Sequence, residues 1–355
     1  MLSTTNIIKD TLEGKRLQEE EALYLLEQGD FIELCKAAAH ICNARHPHYR
    51  ATYIIDRNIN YTNVCTCRCQ FCAFYREPGD SEEYILTEDE VYRKVDEALV
   101  KGATQIMLQG GLNPEIGLDY FIRLFQGIKK QFPVTIHSLS PPEIDHIART
   151  SGMSVQQTLN ELQKAGLDSL PGGGAEILED EIREKISPFK IKTAKWLQIM
   201  ETAHGIGMAS TATMMMGSLE KPVHRIRHMS HIRKLQDKTG GFRAFIMWSF
   251  QPGNTKLGGK HASTVQYLRT LAVARLFLDN ISHLQGSWVT QGKETGQISL
   301  SCGANDLGSI MIEENVIKST GVSYRMTEEE ICRMIIETGK VPAQRDTAYN
   351  VIKEF

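Results

Sequence analysis

Short apolar or β-branched segments alternate with longer amphipathic segments along most of this chain. The short segments have the length of strands and lie at residues 53–61, 105–108, 134–137, 167–170, 208–216, 243–250 and 284–289. The longer segments carry apolar residues at spacings of three and four and lie at residues 88–101, 118–131, 155–164, 193–204, 224–238 and 264–278. Such alternation is typical of βα units that build a parallel sheet, so it predicts an α/β fold.

Seven strands are clear in this pattern, and a short eighth segment near residues 298–302 fits a strand or a loop equally well, which favours a closed barrel over the alternative of an open sheet. Eight such strands close into a (β/α)8 barrel of the TIM type, which ordinarily takes about 250 residues. The chain has 355 residues, which leaves about 100 for other segments. We therefore predict an N-terminal helical extension over residues 1–50, a barrel over residues 51–310, and a C-terminal helical segment over residues 311–355 that packs on the barrel.

The overall charge argues against partners that bind through electrostatic attraction. The chain has 40 basic and 43 acidic side chains, a net charge of −3 at pH 7. This balance creates no field that attracts nucleic acid or anionic lipid. The first twenty residues lack the apolar core of a signal peptide, and no run approaches the roughly 18 apolar residues of a membrane span. We therefore expect a cytoplasmic protein without nucleic-acid or membrane partners.

Four of the eight cysteines lie within eight residues, directly after the first predicted strand: Cys65, Cys67, Cys69 and Cys72. In a reducing compartment such a cluster predicts metal binding rather than disulfides. Structural zinc usually takes two Cys/His pairs separated by a dozen or more residues, and no second pair with that spacing lies nearby. Cys65, Cys69 and Cys72 instead suit three irons of a [4Fe–4S] cluster whose fourth iron stays open. A zinc-binding barrel without catalysis is the alternative from another class.

Cys67 lies inside this motif and could in principle supply a fourth thiolate. We expect it to point away from the other three cysteines, because a cysteine is often simply a small apolar side chain.

The spacing C-x3-C-x2-C, with Phe71 before the last cysteine, resembles the signature of radical S-adenosylmethionine (SAM) enzymes. In that family an electron from the cluster cleaves SAM and releases a 5′-deoxyadenosyl radical. The resemblance implies a [4Fe–4S] cluster and SAM as cofactors, and an electron donor such as flavodoxin or ferredoxin. It also implies four residues that contact SAM: Phe71, Gly110, Gly111 and Glu176. The alternatives are a plain βα turn for the two glycines and an exposed loop carboxylate for Glu176.

Flanking segments narrow the resemblance to one branch of the family. Residues 53–65 and 72–76 resemble the branch that includes aminofutalosine synthase, the cyclases of menaquinone biosynthesis and the deazaflavin synthase subunits. The motifs at residues 137–144, 170–178 and 248–252 resemble the dehypoxanthine futalosine cyclases most closely, and the likeness spans residues 53–306. The sibling activities, aminofutalosine synthase and deazaflavin synthase, are the alternatives within the branch.

The resemblance implies the conversion of dehypoxanthine futalosine to its cyclic product in menaquinone biosynthesis. In that reaction the deoxyadenosyl radical takes a hydrogen from the ribose, and the sugar radical adds to the carboxyphenyl ring. Loss of one electron and one proton then restores the aromatic ring.

Barrel enzymes carry their chemistry at the C-terminal ends of strands, and polar or aromatic residues follow several strands here. We expect five of these residues to bind the substrate: His137, Ser138, Trp248, Gln251 and Asp306. A structural role is the alternative, since a single histidine is often hydrogen-bonded within a core and an aromatic side chain often only packs.

Overall fold

The computed structural model describes residues 2–355. Its α-helices are α1 (Thr4–Leu12), α2 (Glu19–Gln28), α3 (Phe31–Arg45), α4 (Glu88–Val100), α5 (Leu118–Gln131), α6 (Pro141–Thr150), α7 (Val155–Ala165), α8 (Asp180–Ile186), α9 (Thr193–Gly205), α10 (Pro222–Thr239), α11 (Thr264–Phe277), α12 (Trp288–Gln291), α13 (Lys293–Ser299) and α14 (Glu328–Ile336). Within residues 2–355, no helix combines the length and apolar character needed to cross a membrane.

The strands are β1 (Arg50–Ile54), β2 (Asp56–Ile59), β3 (Gln105–Leu108), β4 (Thr135–Ile136), β5 (Ser210–Met216), β6 (Phe242–Ser249), β7 (His283–Gln285), β8 (Asp306–Ser309), β9 (Val341–Arg345) and β10 (Val351–Glu354). A short 3-10 helix spans Lys318–Thr320.

Parallel pairing closes these strands into a ring. β1 and β2 are two halves of one strand, and β2 pairs with β3, which pairs with β4. Two single β-bridges continue the ring: His137 pairs with Ser169, and Leu170 pairs with Ser210 at the start of β5. From there the pairing runs through β6, β7 and β8 back to β1. The predicted barrel is confirmed, and its strand C-termini gather at one end.

The eighth strand lies elsewhere than the sequence pattern predicts. Ile298 belongs to α13, and the strand that closes the barrel is β8, which begins at Asp306. The interpretation of residues 298–302 as a strand is therefore wrong. β8 contains Gly308 and is buried at every position, so it lacks the polar–apolar alternation that identifies a half-exposed strand.

The segment after residue 310 is not purely helical, and this part of the prediction needs correction. α14 is followed by β9, which pairs in parallel with β1, and by β10, which pairs antiparallel with β9. The sequence pattern does not identify β9, because the strand is short and contains Pro342, and proline is rare in paired strands. As a result, β9 carries Arg345 to the barrel, where the side chain is buried.

Three helices precede the barrel, as the pattern over residues 1–50 predicts. α3 packs against α11, and α2 packs against α10 and α11. Ala22, Leu25 and Leu34 are fully buried in these contacts. Arg233 of α10 also donates a hydrogen bond to the carbonyl oxygen of Leu17 at 2.8 Å. The helices therefore cover the outside of the barrel wall, away from its interior.

Candidate active site

A cavity of about 440 Å³ occupies the barrel interior. Trp248, near the end of β6, and Arg243, near its start, both line this cavity. The cavity therefore runs along the barrel from the C-terminal ends of the strands toward the opposite end. We call the part lined by Arg243, Arg345, Thr347 and Tyr349 the cavity floor.

The cysteine loop, residues 60–76, forms the opposite end of the cavity. Its shape is fixed by backbone hydrogen bonds: the Cys65 N–H donates to Arg76 at 2.9 Å, and the Arg76 N–H donates to Asn63 at 2.8 Å. Cys72 donates its N–H to the Cys69 carbonyl at 3.2 Å, which folds the last turn of the loop. Cys65, Cys69 and Cys72 all line the cavity, so the structure brings the predicted triplet together.

The surroundings of the thiols favour thiolates at two of these positions. Hydrogen bonding with Cys67 lowers the pKa of Cys65 to about 6, and the nearby Lys190 ammonium acts in the same direction. The same two neighbours also lower the pKa of Cys69. Burial raises the pKa of Cys72 to about 11. Because metal ligands must be deprotonated, Cys65 and Cys69 are the best prepared for binding.

Cys67 does not point away from the other cysteines, and that expectation is wrong. Its side chain lies within hydrogen-bonding distance of both Cys65 and Cys69, and these bonds raise the pKa of Cys67. Its Sγ also lies 3.8 Å from the carbonyl oxygen of Phe189, which competes with Cys65 and Cys69 for the single proton of the thiol. Cys67 is therefore a buried, protonated neighbour of the triplet.

The donor set fits an iron–sulfur cluster. Within residues 2–355, no three Cys, His, Asp or Glu side chains meet around a point at which a single metal ion could bind. A [4Fe–4S] cluster does not require ligands that meet around one point, because each of its thiolates binds a separate iron. Four cysteines of one loop, Cys65, Cys67, Cys69 and Cys72, line the cavity beside a lysine ammonium, and any three of them meet that requirement.

Two glycines allow the next loop to lie directly against the cysteine loop. A Cβ on Gly111 would lie 2.0 Å from the Val64 carbonyl oxygen and 2.7 Å from the Cys65 Cβ. A Cβ on Gly110 would lie 2.6 Å from the ring of Tyr61. Both glycines line the cavity. Close packing therefore explains why side chains are absent here, independently of any cofactor contact.

We expect Gly111→Ala to destabilise the protein by about 1–3 kcal/mol, because the added methyl group must displace backbone atoms of the cysteine loop. Urea unfolding of the purified protein measures this change. Gly205→Ala is the matched control, since a Cβ at Gly205 meets no atom within 4 Å. Equal stability of both variants would contradict the close approach of the two loops.

Glu143 is a functional candidate that the sequence reasoning missed. Its carboxylate accepts hydrogen bonds from the Gly110 N–H at 3.0 Å, the Tyr61 hydroxyl at 2.8 Å and the Ser140 N–H at 2.7 Å. Burial raises its pKa. Glu143 lies three residues after the helix cap Ser140, and this capping-box spacing is the signal that could have identified it. It holds the Gly110 backbone in place at the cavity wall.

Glu176 is buried rather than solvated. Its side chain accepts a hydrogen bond from Lys190 at 2.5 Å, and its backbone has a positive φ of 41°. Burial alone would lower the pKa of Lys190, but the negative charges of Cys69 and Glu176 raise it. Lys190 also lies 5.2 Å from the centre of the Phe71 ring. The ammonium therefore links the Glu176 loop to the cysteine loop, and all three side chains line the cavity.

Of the five predicted substrate residues, two face the cavity. His137 and Trp248 line it. His137 is buried, and its Nδ1 lies 2.6 Å from the Ser169 hydroxyl. Burial holds the pKa of His137 well below its usual value, and the charges of Arg243 and Arg345 act in the same direction. The imidazole is therefore neutral near pH 7.

The other three predicted substrate residues are not among those that line the cavity, and their side chains bind other groups of the protein. Ser138 is fully buried and accepts a hydrogen bond from the Leu108 N–H at 2.9 Å. Gln251 donates to the carbonyl oxygens of Ser249 and Thr290. Asp306 is fully buried and binds Arg345, with Nε to Oδ2 at 2.6 Å and Nη2 to Oδ1 at 3.0 Å. Each side chain stabilises the barrel wall instead.

The polar groups of the barrel interior were also missed. Asp56, Asn58 and Asn60 occupy alternate positions along one strand and all line the cavity. Gln105 of β3 donates to Asp56 at 2.7 Å, and burial raises the pKa of Asp56. The signal was present in the sequence, because a polar residue at every second position of a strand marks one face of a sheet.

Models of known families match most of the chain. The model described as the radical SAM superfamily matches residues 59–231. The model described as the CofH/MqnC C-terminal region matches residues 239–354.

Several characterised proteins are similar to this chain over most of its length. It is 48% identical to the cyclic dehypoxanthine futalosine synthase of Streptomyces coelicolor over 341 residues, which cover 95% of this chain and 86% of that protein. It is 44% identical to the synthase of the same name from Halalkalibacterium halodurans, over all of this chain and 96% of that protein. The 5-amino-6-(D-ribitylamino)uracil–L-tyrosine 4-hydroxyphenyl transferase of Archaeoglobus fulgidus is 42% identical over 307 residues, which cover 85% of this chain and 88% of that protein.

Among solved structures, methylornithine synthase (PylB) has the same fold. Its TM-score is 0.75 at 18% sequence identity, and the match covers 95% of this chain and 97% of that chain.

Proposed function

Because the chain belongs to the radical SAM superfamily, in the family that carries the CofH/MqnC C-terminal region, we propose that it converts dehypoxanthine futalosine to cyclic dehypoxanthine futalosine. This reaction is a step of menaquinone biosynthesis. Its cofactors are a [4Fe–4S] cluster and SAM, as in the rest of the superfamily. A small molecule is therefore the substrate.

The observation that carries the proposal is that one cavity contains both the cysteine loop and the polar barrel interior. A substrate held along the barrel lies in the same enclosed space as a cofactor held by the cysteine loop. Such enclosure suits radical chemistry, because the reacting atoms are held in contact while water and other reactants are excluded.

When bound, the cluster and SAM supply the 5′-deoxyadenosyl radical that removes a hydrogen atom from the ribose. We assign the cluster to Cys65, Cys69 and Cys72. Glu143 keeps the Gly110 backbone against Tyr61, so the cavity wall beside the cysteine loop has a fixed shape. Within residues 2–355, no hydrogen bond is donated to the Gly110 carbonyl oxygen, which leaves it available for the amino group of SAM.

Glu176 and Trp248 complete the proposed assignments near this end. Glu176 keeps acceptor capacity beyond its bond to Lys190, so its carboxylate suits a ribose hydroxyl of SAM. Trp248 offers a flat apolar face to the aryl ring of the substrate. An external one-electron donor of the flavodoxin or ferredoxin class would supply the electron that the bound cluster needs. The proposed reaction calls for no nucleic-acid or membrane partner.

The test is an anaerobic turnover with reconstituted protein, SAM, a reductant and dehypoxanthine futalosine. We expect 5′-deoxyadenosine and the cyclised product to appear together, with product identity established by mass. Two parallel reactions offer the substrates of the sibling activities. One contains the enolpyruvyl benzoate used by aminofutalosine synthase, and the other contains tyrosine with 5-amino-6-(D-ribitylamino)uracil, the pair named for the archaeal relatives. Product containing covalently bound adenosine, or a 4-hydroxyphenyl adduct, would refute the cyclase assignment.

A further inference from the structure

We infer that the cavity floor is a carboxylate-binding site in which Arg243 pairs with the aryl carboxylate of the substrate. This inference rests on the proposed function and assigns the substrate's orientation: the carboxyphenyl group points toward the floor, and the ribose points toward the cysteine loop.

The first argument is the balance of charges around the cavity. Three cationic side chains line it. Lys190 is paired with Glu176, and Arg345 is paired with Asp306. Within residues 2–355, Arg243 has no carboxylate at ion-pair distance; its guanidinium makes one hydrogen bond, from Nη2 to the Ser169 hydroxyl at 2.9 Å. Asp56, Glu143 and Glu314 also line the cavity and make no ion pair among the described residues, so the total charge of the cavity does not fix the charge of a ligand. Locally, the enclosed Arg243 guanidinium favours an anionic partner.

The second argument is a set of buried polar atoms without partners. Within the described residues, six buried side-chain nitrogen or oxygen atoms make no hydrogen bond, and three of them belong to residues that line this cavity. Two of the three, Arg243 Nε and Thr347 Oγ1, belong to floor residues but are closed off from the cavity in the present rotamers, so a ligand binds them only after these side chains rotate. Buried polar groups are normally satisfied, so atoms of this kind at one end of a cavity point to a ligand that accepts hydrogen bonds. A carboxylate accepts from both N–H and O–H.

The third argument concerns the tautomer of His137. Ser169 accepts a hydrogen bond from Arg243, whose guanidinium can only donate. Either tautomer of His137 fits its Nδ1, which lies 2.6 Å from the Ser169 hydroxyl oxygen; in one of them Ser169 donates its hydroxyl proton to that nitrogen. The neutral imidazole then carries its proton on Nε2. In that tautomer His137 is a hydrogen-bond donor at the cavity, which again suits an oxygen-rich ligand.

The fourth argument is the apolar belt above the floor. Met107 follows Gln105 along β3, and Ile246 and Trp248 follow Arg243 along β6; all line the cavity. The belt therefore lies between the charged floor and the cysteine loop. An aromatic ring fits this belt while its carboxylate reaches the floor. Asn58, Thr213 and Gln285 line the cavity at the same level on neighbouring strands, so the belt is not continuous around the barrel.

The test compares the binding of two ligands that differ only in charge. Equilibrium dialysis of the reconstituted protein, without reductant, measures the affinity for dehypoxanthine futalosine and for its carboxamide analogue. We expect the wild type to bind the carboxylate about 30-fold more tightly than the carboxamide, because charge-assisted hydrogen bonds are stronger than neutral ones. Arg243→Gln should lose most of that preference while binding the carboxamide nearly as before. Arg149→Gln, which changes an exposed arginine outside the cavity, is the matched control.

A second ligand pair, 3-acetylbenzoate and 3-acetylbenzamide, separates this inference from the proposed function. If the wild type neither binds nor converts dehypoxanthine futalosine but prefers the benzoate through Arg243, the proposed function fails and the carboxylate site stands. If it converts dehypoxanthine futalosine and Arg243→Gln keeps the wild-type preference, the carboxylate site fails and the function stands.

Two milder variants cover the case in which Arg243→Gln does not fold. Arg243→Lys keeps the charge but loses the paired donors, and Thr347→Val removes one donor. Each should reduce the preference for the carboxylate by about three- to tenfold. Circular dichroism and iron content establish that these variants are folded and loaded. Wild-type preference in both variants would overturn the inference.

Discussion

Cys69→Ala is expected to abolish iron–sulfur retention and SAM cleavage together. Cys69 is the middle residue of the proposed triplet, lies in the buried loop and has a lowered pKa. Its loss leaves two proposed ligands, which do not hold a cluster that binds through three cysteines. The measurements are iron and sulfide content after anaerobic reconstitution, the absorbance of the cluster, and 5′-deoxyadenosine formed with an excess of reductant.

Cys67→Ala is the matched control, because it removes a thiol from the same loop. We expect it to retain the cluster and nearly all SAM cleavage, since three thiolates remain and the neighbouring cysteines raise the pKa of Cys67. The double variant Cys67→Ala/Cys69→Ala tests whether Cys67 takes over when Cys69 is missing. Equal loss of iron in the two single variants would mean that the ligand triplet is assigned wrongly. Stoichiometric zinc without sulfide in the wild type would support the noncatalytic alternative.

The barrel was predictable because its signal is distributed along the whole chain. Each βα unit has its own strand and amphipathic helix, and α5 begins and ends where the apolar spacing predicts, at Leu118 and Gln131. The failures are short elements with little periodicity. β8 and β9 have four and five residues, and each pairs with a strand far away in the sequence, β1. Local patterns carry no information about such distant partners.

The candidate site was predictable where a motif encodes it and much less so elsewhere. The cysteine spacing identifies three residues of one loop, and the glycine pair identifies the adjacent loop. The cavity floor, in contrast, is assembled from strands that are distant in sequence, with Arg243 on β6 and Arg345 on β9. Reading the ends of strands also could not distinguish side chains that face the cavity, such as His137, from neighbours that face the wall, such as Ser138. Successive side chains of a strand point to opposite faces, so a shift of one residue moves a side chain from the cavity to the wall.

Asp306 illustrates how a polar residue at a barrel strand can serve stability rather than binding. Its carboxylate accepts four hydrogen bonds: two from Arg345, one from Thr52 at 2.6 Å and one from the Gly308 N–H at 2.8 Å. Thr52, Asp306 and Arg345 lie on β1, β8 and β9, which are neighbours in the sheet. The carboxylate therefore joins the strand that closes the barrel to the strand added by the C-terminal segment.

Asp306→Ala is expected to destabilise the protein by about 3–5 kcal/mol, because it leaves the buried Arg345 guanidinium without its counter-charge. Urea unfolding, followed by circular dichroism, measures the change. Glu161→Ala, which removes the exposed partner of Lys164, is the control and should have an effect below about 0.5 kcal/mol.

The double variant Asp306→Ala/Arg345→Met distinguishes an unpaired charge from a simple loss of packing. Removing both charges should recover much of the lost stability, since the cost of burying Arg345 without a partner disappears. The recovery should be incomplete, because the Gly308 N–H still lacks its acceptor. If the double variant is as unstable as the sum of the two single variants, the ion pair does not couple β8 to β9, and Asp306 must act through its hydrogen bonds to β1 and Gly308 alone.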